Sequence, residues 1–391
     1  MAKPFRNGDL RVMEQRRCTY DKCGGCMMCE KSYEQTLREK KKYIEELLSK
    51  FCKVNEISSM YYPYNYRNKV HSTFGKTQKG GITTGIYKEG THEIVPIDKC
   101  LINDKKADEI ILTIRNLANE FKMQAYDEDR HTGLLRHVMV RRGASSRQIM
   151  VVLVTPTENF PSRKNFVAKL LELHPDITTV IQSINPAATS MVLGNYEKVL
   201  YGKGYIEDTL MGYTFRISAR SFYQVNKSQT EMLYKTAING LGLTGKESVI
   251  DAYCGIGTIS LAVSKNARYV IGVELNLEAV KDAKENAKRN NIKNVSFFCD
   301  DAGDYMLELA SEGKKIDAVI MDPPRSGSTT QFMDSVARMS PDKIAYISCN
   351  PETLARDLNY FTIKGYRVKE CTPVDMFGFT KHVEVVCILT K

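Results

Sequence analysis

The chain has 391 residues, 42% of them apolar and 26% charged, with a formal net charge of +10. That apolar content suffices for packed cores in two or three domains and excludes a disordered chain, and no stretch approaches the roughly 18 apolar residues of a membrane-spanning helix. The excess of Lys and Arg favours a polyanionic partner, though it equally fits a merely basic soluble protein.

Residues 1–11 are positively charged but lack the apolar core of a signal peptide, so the cytoplasm is the expected address. Cys18, Cys23, Cys26 and Cys29 follow in the pattern C-x4-C-G-G-C-x2-C. Eleven cysteines in such a chain imply a reducing compartment, where a tight cluster points to a metal or an iron–sulfur centre rather than to disulfides. Zinc stays open at this point, with His92 the only histidine close to a later cysteine. A bacterial ferredoxin site requires Cys-Pro where Tyr33 and Glu34 stand, and the gap from Cys18 to Cys23 is one residue too long for the cluster of radical enzymes.

Residues 31–51 place Tyr33, Leu37, Ile44, Leu47, Leu48 and Phe51 at helical spacing, with Lys40, Lys41 and Lys42 expected on the wet face. From about 58 to 215 the pattern turns to strands and hairpins, as at 83–90 and 147–154, with helices near 104–121 and 163–174. This reads as an α+β domain. Segments 66–70 and 136–142 set basic groups at both ends of short strands, a layout suited to phosphate contact. The domain change falls within 213–221, giving 1–215 and 216–391.

In the second part, residues 249–258 read as a buried strand carrying Asp251, a turn with Tyr253, Gly255 and Gly257, and a helix following Thr258. Glycines there let a backbone approach a ligand closely. The next apolar run, 269–273, ends at Glu274, where an acid can accept hydrogen bonds from two ribose hydroxyls. So far a dinucleotide fits as well. The third strand, 295–298, is followed by Asp300, Asp301 and Ala302, and the fourth, 316–321, runs into Asp322-Pro323-Pro324-Arg325. The acid–Ala step resembles the adenine-binding corner of S-adenosylmethionine (SAM) methyltransferases, and Asp-Pro-Pro resembles their catalytic motif, which sets SAM ahead of NAD. Two prolines fix φ and remove two amide donors, a stiff turn that aims side chains into the cleft beyond the strands.

About 24 residues after that motif comes Ile347-Ser348-Cys349-Asn350-Pro351. A thiol beside a methyl donor implies a poor carbon nucleophile as acceptor, such as pyrimidine C5, because nitrogen and oxygen acceptors need only a base. Thiolate addition to C6 activates C5, and a base must then remove the C5 proton. Glu384, the acid in the apolar run 382–386, is the candidate, since a carboxylate so placed is costly to bury unless paired or functional. From spacing alone, a small buried Cys349 and a surface Glu384 fit equally well.

Residues 216–391 resemble the catalytic domain of the RNA uracil-5-methyltransferase family. The resemblance rests on Ser221-Phe222-Tyr223-Gln224-Val225-Asn226, on 251–258, on Asp322-Pro323-Pro324-Arg325, on Ser348-Cys349-Asn350-Pro351 and on His382-Val383-Glu384, in that order. It implies a Rossmann-like α/β domain that binds SAM. Gln224, Tyr253, Glu274 and Asp322 would contact the donor, with Asp251, Gly255, Gly257 and Thr258 in its loop and Asp301 on the adenine side. Cys349 would be the nucleophile and Glu384 the base. RNA cytosine-5-methyltransferases resemble a different pattern, with a Pro-Cys nucleophile and a second cysteine where Asp322-Pro323-Pro324 stands here. The segments 66–70 and 136–142 also resemble the family's central domain.

The same resemblance implies a [4Fe-4S] cluster held by Cys18, Cys23, Cys26 and the later Cys100, leaving Cys29 spare. The cluster's expected part is to staple the fold and shape an RNA surface. Larger family members begin with a small oligonucleotide-binding barrel of about 50 or more residues, whereas 17 residues precede Cys18, so that barrel is not expected. Relatives specific for transfer RNA lack the cysteines, which points to large-subunit (23S) ribosomal RNA as the partner of a monomeric enzyme. The rival readings are transfer RNA as substrate, cytosine as target base, and a noncatalytic iron–sulfur RNA-binding protein.

Overall fold

The computed structural model describes residues 18–20, 23–88, 90–187 and 191–391. The first helix is α1 (Tyr33–Leu48), opened by a capping box between Ser32 and Gln35. Then come β1 (Lys69–Lys76), β2 (Ile82–Tyr87), β3 (Ile94–Pro96), α2 (Lys105–Glu120), β4 (His137–Arg142), β5 (Ile149–Thr155), α3 (Arg163–Leu173), β6 (Ile177–Ile184), β7 (Tyr196–Tyr201), β8 (Tyr205–Leu210) and β9 (Tyr213–Ser218). Strands β1 to β7 form one sheet in the order β3-β2-β1-β4-β5-β6-β7, and β8 and β9 form a separate hairpin. Alternation along the strands sends Val138, Val140, Val151 and Leu153 to one face, where they pack with Ile110, Ile114 and Phe166 of α2 and α3. Met139, Met150, Val152 and Ile181 face the other way and join Phe215 and Ile217 of the hairpin in a core shared with the second half of the chain.

That half alternates: α4 (Lys227–Leu241), β10 (Ser248–Ala252), α5 (Thr258–Ser264), β11 (Tyr269–Glu274), α6 (Leu277–Arg289), β12 (Val295–Cys299), α7 (Ala302–Ser311), β13 (Ala318–Met321), α8 (Thr330–Met339), β14 (Lys343–Ser348), α9 (Pro351–Ile363), β15 (Arg367–Val374) and β16 (Glu384–Thr390). Its sheet runs β12-β11-β10-β13-β14-β16-β15, parallel as far as β14, with β16 inserted antiparallel between β14 and β15. Strand order reverses between β10 and β13. In a doubly wound sheet, the crevice outside the carboxyl ends of such a pair is where ligands bind.

Helix α1 packs on this second sheet. Its Ile44 and Leu48 share a core with Phe361, Tyr366 and Cys371, and short bridges join Val54 to Cys371 and Ser58 to Val374. The same face, four residues back, carries Lys40, so the expectation that Lys40 lies on the wet side is overturned. Lys40 is buried, with Nζ 2.5 Å from Asp375 Oδ1, while Lys41 and Lys42 stay outside beside acidic neighbours.

The phosphate-contact reading of segment 136–142 is also overturned, because β4 lies inside its sheet and its arginines bond to protein. Arg136 pairs with Glu128 and donates to the carbonyls of Asn185 and Ala187. Arg141 donates to Ser218 O and Ser221 O, both at 2.9 Å, and Arg142 pairs with Asp104.

Candidate active site

Cys349 stands in the turn between β14 and α9. The turn is fixed locally: Ser348 Oγ accepts from Asn350 N, Asn350 Oδ1 accepts from Glu352 N, and Pro351 occupies the first helical turn, where no amide donor is needed. Asn350 Nδ2 and Thr353 Oγ1 both donate to Arg325 O, at 3.0 and 3.3 Å, which ties this turn to the one carrying Asp322. In the antiparallel ladder Ser348 pairs with Val385. The ladder ends there, with Cys349 and Glu384 each the chain neighbour of one member of that last pair.

Burial, then the Glu384 and Asp322 carboxylates, push the Cys349 thiol up to about 11, opposed by the Arg325 guanidinium and a backbone hydrogen bond. The Glu384 carboxyl, almost fully buried, is held well above the usual range by burial and by Asp322, and burial raises Asp322 as well. Arg325 is a counter-charge to both Cys349 and Glu384, a position the sequence motif did not reveal although the residue stands in it.

The donor-side residues gather at the carboxyl ends of β10 and β11. Asp251 is fully buried, with Oδ2 accepting from Ser260 Oγ at 2.5 Å and Oδ1 without a partner, and burial raises it to about 7. Tyr253 has φ +64°, and its hydroxyl lies 3.5 Å from Ser328 Oγ. Gly255 N donates to Glu274 Oε2, while Glu274 Oε1 accepts from Asn276 N. Gly257 has φ +82°, and a Cβ there would meet the Phe297 ring at 2.7 Å, so only glycine fits. Thr258 Oγ1 bonds Tyr234 OH, and the Gln224 carbonyl accepts from Asn68 Nδ2. Asp301 caps α7 through Gly303 N and Asp304 N and is exposed.

A cleft of about 580 Å³ opens over the thiol. Arg325, Cys349, Asn350 and His382 line it together with Met28 of the cysteine loop and Glu39, Lys40 and Tyr43 of α1. Nothing in the sequence pattern signals that Met28 and Tyr43 would reach this wall.

Cys18, Cys23, Cys26, Cys29 and Cys100 come together around a separate cavity of about 20 Å³, walled by Ile97, Leu101, Ile102 and Phe379. Burial and the neighbouring Cys100, Cys23 and Cys29 thiols push Cys26 up to about 12. Cys29, expected to be spare, thus lies on the same wall as the other four. Among the described residues, no three His, Cys, Asp or Glu side chains already stand at metal-binding geometry.

The profile of the tRNA (uracil-5-)-methyltransferase family matches residues 188–391. An uncharacterized RNA methyltransferase of Halalkalibacterium halodurans is 41% identical over 375 residues, 95% of this chain and 82% of that protein. One of Clostridium acetobutylicum is 43% identical over 379 residues, with the same coverage of 95% and 82%. The crystal structure of Pyrococcus abyssi tRNA (uracil-54, C5)-methyltransferase in complex with S-adenosyl-L-homocysteine superposes with a TM-score of 0.80 at 28% identity, covering 95% of this chain and 86% of that one. The chain belongs to the tRNA (uracil-5-)-methyltransferase family and is an RNA methyltransferase.

Proposed function

We propose that this enzyme transfers the methyl group of SAM to C5 of a uridine in RNA, with Cys349 as nucleophile and Glu384 as base. The observation that carries the reading is that the Cys349 thiol, one residue past the Ser348–Val385 pair, feels both the Glu384 and the Asp322 carboxylates. A nearby row of carboxylates, Asp251, Asp322 and Glu384, complements the positive sulfonium of the donor, whose charge would relieve their mutual repulsion.

The steps balance as follows. The Cys349 thiolate adds to C6, forming a C–S bond and leaving an enolate whose C5 takes the methyl group, while S-adenosylhomocysteine departs. Glu384 then removes the C5 proton, the C–S bond breaks, and the electron pair returns to sulfur. Both faces of the ring must be reached, so the uracil leaves its stack and enters the cleft over Cys349. Glu384→Gln should stall at the last step and leave methylated RNA bound to the protein on a denaturing gel, with no adduct when Cys349→Ala is added. Turnover by Glu384→Gln at the native rate would assign the base elsewhere.

The proposed substrate is large-subunit ribosomal RNA, on the strength of the cysteine set. Transfer RNA is the second reading, favoured by the likeness to the Pyrococcus abyssi enzyme. Mapping 5-methyluridine in both RNAs from cells with and without the protein decides between them.

The cysteines fit a [4Fe-4S] cluster: the donors are thiols, the walls are apolar, and Gly25 N already donates to Cys23 Sγ at 3.4 Å, the kind of contact that tunes cluster sulfur. Cys18, Cys23, Cys26 and Cys100 would hold it. Bound there, it would supply cross-links between the cysteine loop and the segment before α2; the methyl-transfer steps above are carried by other residues. Zinc would use the same thiolates.

A further inference from the structure

Residues 375–383 join β15 to β16 and so deliver Glu384 to the site. Four consecutive carbonyls of this segment are each taken by a different part of the molecule. Met376 O accepts from Asn226 Nδ2 at the start of α4 (2.9 Å), and Phe377 O from Lys40 Nζ of α1 (2.9 Å). Gly378 O accepts from Tyr66 OH, just ahead of β1 (3.1 Å), and Phe379 O from Met28 N in the cysteine loop (3.1 Å). The Phe379 ring walls the cysteine cavity and stacks on Tyr64, 5.2 Å between centroids. At the head of the segment, the fully buried Asp375 accepts from Tyr33 OH at 2.6 Å and pairs with Lys40. Three residues beyond Phe379, His382 lines the cleft over Cys349.

Surface loops rarely have their carbonyls bonded in this way, and an irregular segment held on all sides is what keeps one geometry. We propose that residues 375–383 are a strap that positions the catalytic base: the cysteine loop, α1 and the first sheet set the place of Glu384 through carbonyls 376–379. Tyr66 and Tyr33 are then positioning residues for proton removal and take no part in thiol addition or methyl transfer. The inference rests on the assignment of Glu384 as base. It explains why the cysteine loop is built against the catalytic half at all: loss of order among the cysteines is transmitted through Met28 and Phe379 to the final step of the reaction.

The test separates that step from the earlier ones. RNA carrying 5-fluorouridine at the target has no C5 proton to remove, so the enzyme halts as a covalent adduct once the methyl group is transferred, and the rate of trapping reports addition and transfer alone. Tyr66→Phe deletes one strap contact, and Tyr33→Phe deletes the hydrogen bond to Asp375 at the head of the strap. Turnover on ordinary RNA should fall roughly tenfold or more in both, with trapping on fluorinated RNA kept within about twofold, since small misplacement of a catalytic group costs that much. A slow-migrating adduct with ordinary RNA should become visible. Trapping and turnover falling in proportion, or turnover unchanged in both variants, would overturn the strap. Normal turnover by Glu384→Gln would instead overturn the base assignment beneath it.

Discussion

The Lys40 ammonium lies 2.5 Å from Asp375 Oδ1 with the two side chains 2% and 0% exposed, so α1 is pinned by charge to the segment that leads into Glu384. Removing one partner of such a pair leaves the other charged and dry. Lys40→Met alone should therefore destabilise the protein by about 3–5 kcal/mol, and Lys40→Met/Asp375→Asn by clearly less. Urea unfolding of the three proteins checks this, and equal losses in single and double variants would count against it.

Cys349 and Glu384 are both held above their ordinary values, and the proposed reaction needs both deprotonated, one as thiolate and one as carboxylate. Methyl transfer should accordingly rise with pH across the range below the thiol's value of about 11, by roughly tenfold per unit where thiolate is scarce. Glu384→Gln removes a like charge from beside the thiol, so its adduct should form at lower pH than the native single-turnover curve predicts. Quenched reactions resolved on denaturing gels at stepped pH give the comparison; superimposable curves would refute the coupling.

Asp251 makes a separate mark on stability. Its carboxyl is raised from 3.8 to about 7 by burial, so its contribution is fully present below the unfolded value and is lost as pH rises through about 7. The native protein without donor should melt earlier at pH 8.5 than at pH 6, and Asp251→Asn should flatten that dependence. Melting curves at the two pH values decide, and an unchanged slope in the variant would mean other groups set it.

Protein purified without oxygen should be brown, with broad absorbance near about 400 nm from thiolate–iron bonds. Serine replacements at Cys18, Cys23, Cys26 and Cys100 should each lose iron, whereas Cys29→Ser should keep it. Colourless protein holding one zinc per chain would replace the cluster with the alternative metal.

The second half of the chain was legible because its strands are buried on both faces and end in short motifs. Residues 249–258 and the Asp322-Pro323-Pro324 turn announce both an element and its chemistry, and the structure has β10 and β13 where those runs lie. Segments whose partners lie far off in sequence were read wrongly. Lys40 looked like one of three wet lysines because its acid stands 335 residues away, and Arg141 looked free because the carbonyls it serves belong to a later turn. Periodicity reports which face of an element is apolar; it does not report a charge that meets its opposite inside. Met28 and Tyr43 escaped for the same reason, since the wall they form exists only once α1 has docked on the second sheet.

Of the strands described, β16 comes last in sequence yet lies inside its sheet, between β14 and β15. During synthesis, the thiol and the glycine turn emerge well before their base, and the edges of β14 and β15 wait unpaired until β16 slides between them. A ribosome-bound chain stopped just short of this strand would carry a nucleophile with nothing to release its product, and two open edges ready to pair with a neighbour. In the proposed reaction, the strand that completes the sheet is also the one that brings the base.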